Sequence, residues 1–235
     1  MILTNDNKYE ESRRKQLKID EFNSVEHPFM EQLKELGWND DANEVIELQM
    51  QQLPSDSFRT SFSEVVLMPK LRKALKQIND FLTDSQIDEV ANRITAYQGG
   101  TLLENNECIF NLLVEGTSVS RNEQTGEQSP SVRYIDFDHP ENNIFTAISQ
   151  FKVAIPGTDH HIIPDIVLFL NGLPIVVVEA KSPKVSEPLP EAIDQLMRYS
   201  EQRGDTGEGN PALFQYNQFL TVTCRNEAKA GTITT

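Results

Sequence analysis

Pro164-Asp165 lies fourteen residues ahead of Glu179-Ala180-Lys181. Two carboxylates and an ammonium are costly to gather in a dry place unless they pair or hold a cation. Carboxylate oxygens are hard donors, and Mg2+ is held by one or two of them together with waters and substrate phosphate oxygens. A cation held by Asp165 and Glu179 would polarise a phosphate and lower the pKa of a bound water. Lys181 would orient or deprotonate that water, or stabilise the pentacovalent charge. The three residues point to metal-assisted phosphoester hydrolysis, provided the chain brings them together.

The stretch IVVVEAKSP (175–183) carries two of them. Its valines do not alternate with polar residues, which predicts a central strand covered on both faces. Glu179 and Lys181 are two apart, so they share a face and Ala180 takes the other. Asp165 opens the preceding apolar run, IPDIVLFL (163–170), and Asn171-Gly172 is a hairpin turn signal. Register then decides the chemistry. A strict two-residue loop pairs Leu170 with Leu173, which sets Asp165 opposite Val178 and turns its side chain away from Glu179. A longer loop, or one bulge, pairs Asp165 with Glu179 on a common face. Pro174 cannot donate to a ladder, which disfavours a tight loop closed at Leu173. The shifted register is expected.

The rest of the chain reads as a polar tail over 1–24 and one domain over 25–235. An amphipathic helix begins at Val25-Glu26-His27-Pro28, with Phe29, Leu33 and Leu36 on one face and Gly37 as its stop. EVIEL (44–48) is a short strand. A helix is expected over about 61–78, with Pro69 marking a kink or a late start. Thr83 to Gln86 has capping-box spacing and opens a helix to about Tyr97. A third helix runs from Leu102 to Leu113 and is ended by Gly116. From Ser118 the period changes: VRYIDFD (132–138), NIFTAISQFKVAI (143–155) and FLTVTC (219–224) read as strands, AKAGTIT as an edge, and Pro190–Arg203 as a helix. The class is α/β in the broad sense (α+β), a mixed sheet flanked by helices.

The 21 basic and 36 acidic residues give a net charge of −15. Such a surface opposes a nucleic-acid partner unless carboxylates gather divalent metal and other domains or subunits do most of the holding. Cys108 and Cys224 sit in apolar segments and fit a reducing, cytoplasmic compartment. The N-terminus lacks an apolar signal core, and no apolar run approaches membrane-spanning length. No phosphate-binding glycine loop is present. His160-His161 read as loop residues, and Lys70, Arg72, Lys73 and Lys76 as a solvated helix face. Asp136, Asp138 and Glu141 read as strand-end and turn residues, Glu104, Asn105, Asn106 and Glu107 as a cap or buried polar contacts of the third helix, and Trp38 and the phenylalanines as core.

Pro164-Asp165 followed by Glu179-Ala180-Lys181 resembles the PD-(D/E)xK nuclease signature, and Gln195 with Tyr199 matches the QxxxY element of its RecB-like branch. The phrases ENNIFTAISQFKV, IPDIVLFLNGLPIVVVEAKSP and LFQYNQFLTVT resemble the N-terminal part of the restriction subunit of type I restriction-modification enzymes. The resemblance implies a restriction-endonuclease-like fold and Mg2+-dependent cutting of double-stranded DNA. It implies Asp165, Glu179 and the Ala180 carbonyl as metal ligands, Lys181 as the catalytic lysine, and Gln195 and Tyr199 as site supports or DNA contacts. Glu26 matches the acidic position that often completes such sites. It further implies an ATP-driven motor in the same subunit, absent from this chain, and methyltransferase and specificity subunits as partners. The chain is accordingly expected to be a fragment. The contrasting expectation is a docking module that keeps the nuclease-like sheet without catalysis.

Overall fold

The computed structural model describes residues 13, 15–17, 21–40, 42–49, 51–96 and 99–234. Most of the expected polar tail lies outside these residues, but 15–17 and 21–24 are helical. From Phe22 the chain makes a wide π-turn (Phe22–Glu26), an α-helix, α1 (His27–Leu33), and a second π-turn (Lys34–Trp38). Gly37 stops it at φ 86°. Met30 and Leu33 are buried, whereas Leu36 is 75% exposed. The expected Phe29–Leu33–Leu36 face is therefore wrong at its end, because the wider turn after Leu33 rotates Leu36 towards solvent.

β1 (Glu44–Glu47) is followed by α2 (Met68–Ile78), α3 (Asp84–Thr95) and α4 (Leu102–Glu115). Pro69 marks a late start: residues 61–67 are not helical, and the proline sits in the first turn, where its missing N–H costs no bond. Thr83 with Gln86, and Thr101 with Glu104, form reciprocal capping boxes. Tyr97, the expected end of α3, lies outside the described residues.

VRYIDFD is not one strand. β2 (Thr117–Ser118) and β3 (Ser131–Val132) form a small hairpin, and the chain turns after it. The Asp136 carboxylate accepts from the backbone N–H of Asp138 and His139 and from Asn142 Nδ2. These local bonds replace a ladder. Then come β4 (Phe145–Ser149), a side hairpin of β5 (Val153–Ala154) and β6 (His161–Ile162), β7 (Ile166–Leu170) and β8 (Leu173–Ala180). Helices α5 (Pro188–Tyr199) and α6 (Pro211–Phe214) precede β9 (Phe219–Thr223) and β10 (Ala228–Gly231).

One six-stranded mixed sheet, in the order β1-β4-β7-β8-β9-β10, organises the molecule. The middle is an antiparallel meander, β4-β7-β8, flanked by parallel pairs β1/β4 and β8/β9. Alternate residues serve different faces. Val167 and Val177 join the large core beneath α2–α5, while Ile166 and Val178 pack with Met30 and Leu33 of α1. The valine run is interior on both faces, as its lack of alternation predicts.

The β7–β8 hairpin combines both loop alternatives. It closes tightly at Leu170–Leu173, against the expectation from Pro174. Asn171 and Gly172 both have positive φ, 53° and 81°, as a type I′ turn requires. The register then shifts once: Phe169 pairs with Pro174, but Leu168 pairs with Val176, leaving Ile175 as the bulged residue. Pro174 is tolerated beside an irregularity of this kind. Beyond the bulge Ile166 pairs with Val178, which aligns Asp165 with Glu179.

Candidate active site

Asp165 precedes β7 in the row of Val167, and Glu179 lies next to the end of β8 in the row of Val177. Both side chains emerge on the face covered by α5. Asp165 is 6% exposed and Glu179 fully buried. Asp165 Oδ2 accepts from the Ala180 amide at 2.7 Å, and Gln150 Nε2 approaches Oδ1 at 3.4 Å. Lys181 Nζ donates to Glu179 Oε1 at 2.8 Å and to the Ala180 carbonyl at 2.9 Å. Glu179 Oε2 is buried with no hydrogen-bond partner among the described residues.

Glu26 arrives from the π-turn ahead of α1, 3% exposed, and its Oε2 accepts from Gln150 Nε2 at 2.7 Å. Glu21, Glu26 and Asp165 each offer an oxygen within 4.8 Å of the others. Glu21 also accepts from the Ser182 amide at 3.1 Å, which ties the first helical segment to the end of the motif. On α5, Gln195 Nε2 donates to the Tyr199 hydroxyl at 2.9 Å, and that hydroxyl faces the Ile163 carbonyl at 3.5 Å. Residues four apart share a helix face, so one helix presents both to the cleft. The cleft has a volume of about 690 Å³, and its lining includes Asp165, Glu179, Lys181, Gln150, Glu26, Glu21, Gln195 and Tyr199, all eight of these side chains.

The electrostatics follow from burial. Burial first, then the Asp165 charge, pushes the Glu26 carboxyl up to about 8. Burial, then the Asp165 charge, holds Glu179 well above the usual carboxylate range. Burial raises Asp165 too, opposed by Lys181 and the Ala180 N–H. Burial works against the Lys181 ammonium, but the charges of Glu179, Asp165 and Glu21 outweigh it and raise its pKa. The Tyr199 hydroxyl is pushed up to about 12, chiefly by burial and then by Glu179 and Asp165. Carboxylates crowded this closely disfavour one another's charge.

The hairpin brings together Asp165, Glu179 and Lys181; α5 adds Gln195 and Tyr199; the first helical segment adds Glu26. Sequence reasoning missed Glu21, which it assigned to the tail, and Gln150, whose role depends on a turn after β4. His161, read as a loop residue, lies on β6 and lines the cleft, its pKa lowered chiefly by burial. Lys70 is not part of a solvated face. It is 7% exposed, bonds Glu44 at 2.8 Å and lies 4.8 Å over the Phe58 ring. Arg72 pairs with Asp88. Phe110, Phe137 and Phe219 are exposed, against their reading as core.

The family model for the type I restriction enzyme R protein N terminus matches residues 18–235. The type I restriction enzyme HindI endonuclease subunit of Haemophilus influenzae is 30% identical over 212 residues, covering 90% of this chain and 19% of that one. A chain of Methanocaldococcus jannaschii named as a type I restriction enzyme MjaIXP endonuclease subunit is 26% identical over 223 residues, 94% of this chain and 20% of that one. The chain thus spans about a fifth of the length of the curated relatives it matches. Among the described residues no helix is long and apolar enough to cross a membrane. With the matched region taking in every residue of the cleft named above, the chain belongs to the family of type I restriction enzyme R protein N termini.

Proposed function

We propose that the chain is a Mg2+-dependent endonuclease domain that hydrolyses phosphodiester bonds of double-stranded DNA within a type I restriction enzyme. The observation that carries this reading is the convergence of Asp165, Glu179 and Glu26 in one cleft, with Glu179 Oε2 buried and unpartnered. A buried carboxylate oxygen without a donor is costly, and an ion relieves that cost. The donor set is oxygen only, which suits Mg2+ rather than a softer metal. Asp165, Glu179 and Glu26, with the Ala180 carbonyl, would hold it. When bound, Mg2+ supplies positive charge to a phosphate oxygen and acidifies a bound water.

The remaining roles belong to the chain's own groups. The Ala180 N–H fixes one Asp165 oxygen, leaving the other directed at the cleft. Lys181 is held as an ammonium, so it serves as a charge donor towards the scissile phosphate and orients water rather than removing its proton at rest. Gln195 and Tyr199 form one hydrogen-bonded wall along which a DNA backbone would lie. A net charge of −15 keeps the isolated domain from gripping DNA strongly. ATP-driven translocation by a motor in the same subunit, with methyltransferase and specificity subunits, would supply the grip and the choice of site.

The test is plasmid cleavage by the full-length subunit, assembled with its partners and carrying Asp165→Ala or Lys181→Ala. Loss of cutting with ATP hydrolysis retained supports the reading; unreduced cutting by either variant overturns it.

A further inference from the structure

We propose that Gln150 is a positioning residue that holds Glu26 and Asp165 in the arrangement needed to take up a divalent cation. This role rests on the metal reading given above. Gln150 follows β4 and has a left-handed backbone, φ 52°. A non-glycine residue in that conformation has to be held there by its surroundings, and such residues gather at functional sites.

The bonds that hold it are all present. Its backbone N–H donates to the Asp165 carbonyl at 2.7 Å. Its carbonyl accepts from Gln52 Nε2 at 2.7 Å, and the same nitrogen reaches the Gln49 carbonyl at 2.9 Å. The turn aims the Gln150 carboxamide into the cleft, where Nε2 meets Glu26 Oε2 at 2.7 Å and Asp165 Oδ1 at 3.4 Å.

Glu26 comes from the first helical segment and Asp165 from the β7 end, and their charges repel. A single neutral donor between them offsets that repulsion without adding a charge that competes with a cation. Groups that orient metal-binding carboxylates typically change affinity by about 10- to 100-fold when removed. The backbone of Gln150 keeps the turn, and its side chain sets the carboxylates; the two roles can be separated by substitution.

The experiment is calorimetric titration of the 235-residue chain with Mn2+, alongside its melting temperature without metal. Gln150→Gly removes the carboxamide and suits the left-handed backbone; Gln150→Met keeps the volume and removes the donor. Both are expected to bind Mn2+ at least about 10-fold more weakly, with the metal-free melting temperature of the glycine variant preserved. Should the glycine variant not fold, the methionine variant decides. Mn2+ affinity within two-fold of the unsubstituted chain overturns the role and leaves the metal site standing, including where only the melting temperature falls. Absence of Mn2+ binding in the unsubstituted chain overturns the metal site and this role together.

Discussion

Asp165 Oδ2 accepts a hydrogen bond from the Ala180 amide 2.7 Å away, across the β7–β8 hairpin. The bond exists because Ile175 is bulged out of the ladder. Were Ile175 kept in the ladder, Asp165 would sit opposite Val178, and Glu179 would turn to the other face of the sheet, where Ile166 and Met30 pack. Local strand geometry therefore sets whether a carboxylate faces the cleft or the apolar contact with α1.

The turn that closes the hairpin should be intolerant of any side chain at its second position. A Cβ on Gly172 would meet the Leu67 carbonyl at 2.5 Å and the Leu71 nitrogen at 2.7 Å, at φ +81°. Gly172→Ala is expected to destabilise by about 2–4 kcal/mol, from backbone strain plus the clash with α2. A urea midpoint equal to that of the unsubstituted chain would contradict this packing.

The metal-free protein should lose stability as the pH rises. Glu26 is held near 8, against an ordinary value near 4.5, so the folded state keeps a proton that the unfolded chain releases. That contribution is complete below the ordinary value and lost as the pH passes through 8. Glu179 and Asp165 shift in the same direction. In EDTA, the melting temperature is expected to fall between pH 5 and 8, for a loss on the order of 1–3 kcal/mol. Glu26→Gln should flatten the slope. A melting temperature that climbs with pH over this range counts against the shifts.

Added Mg2+ should reverse that trend. A ligand at ten times its Kd stabilises by about 1.4 kcal/mol, and the gain grows as the carboxylates ionise. Thermal shifts at pH 8 are expected to exceed those at pH 6, and to vanish in Asp165→Asn. Equal shifts in that variant would place the ion elsewhere.

Tyr199→Phe keeps the ring in its buried position but removes the acceptor of the Gln195 amide. The fold should be kept, with a cost of about 1 kcal/mol. Cleavage by the assembled enzyme is expected to drop about 10-fold, roughly the 1.4 kcal/mol scale of one interaction with the reacting strand. Cleavage at the unsubstituted rate would remove Tyr199 from the site.

Much of this architecture is legible in the residues. The valine run identifies the central strand, the Thr83–Gln86 capping box fixes the start of α3, and the Asp165–Glu179–Lys181 pattern picks out three side chains that the structure gathers in one cleft. The need for a shifted register was also readable, though its origin was not. Pro174 argued for a longer loop, whereas the chain keeps the Asn171-Gly172 turn and places the irregularity at Ile175. Asn171 explains the preference: its side chain is buried and bonds the Ile144 amide, the Tyr134 carbonyl and Asn143, all distant in sequence. Glu21 and Gln150 were invisible for the same reason. Their importance comes from a helical segment and a left-handed turn meeting across 129 residues of chain, which no local pattern encodes.

Lys181 has a consequence of its own. Its ammonium rests on the Glu179 carboxylate through Oε1 and on the Ala180 carbonyl, one side-chain and one backbone oxygen at the end of β8. The fold thereby carries a built-in counter-charge at its most acidic point. On the proposed reading, the chain's own charges hold the cleft together before any ion arrives, so building the apparatus and arming it would be separate events.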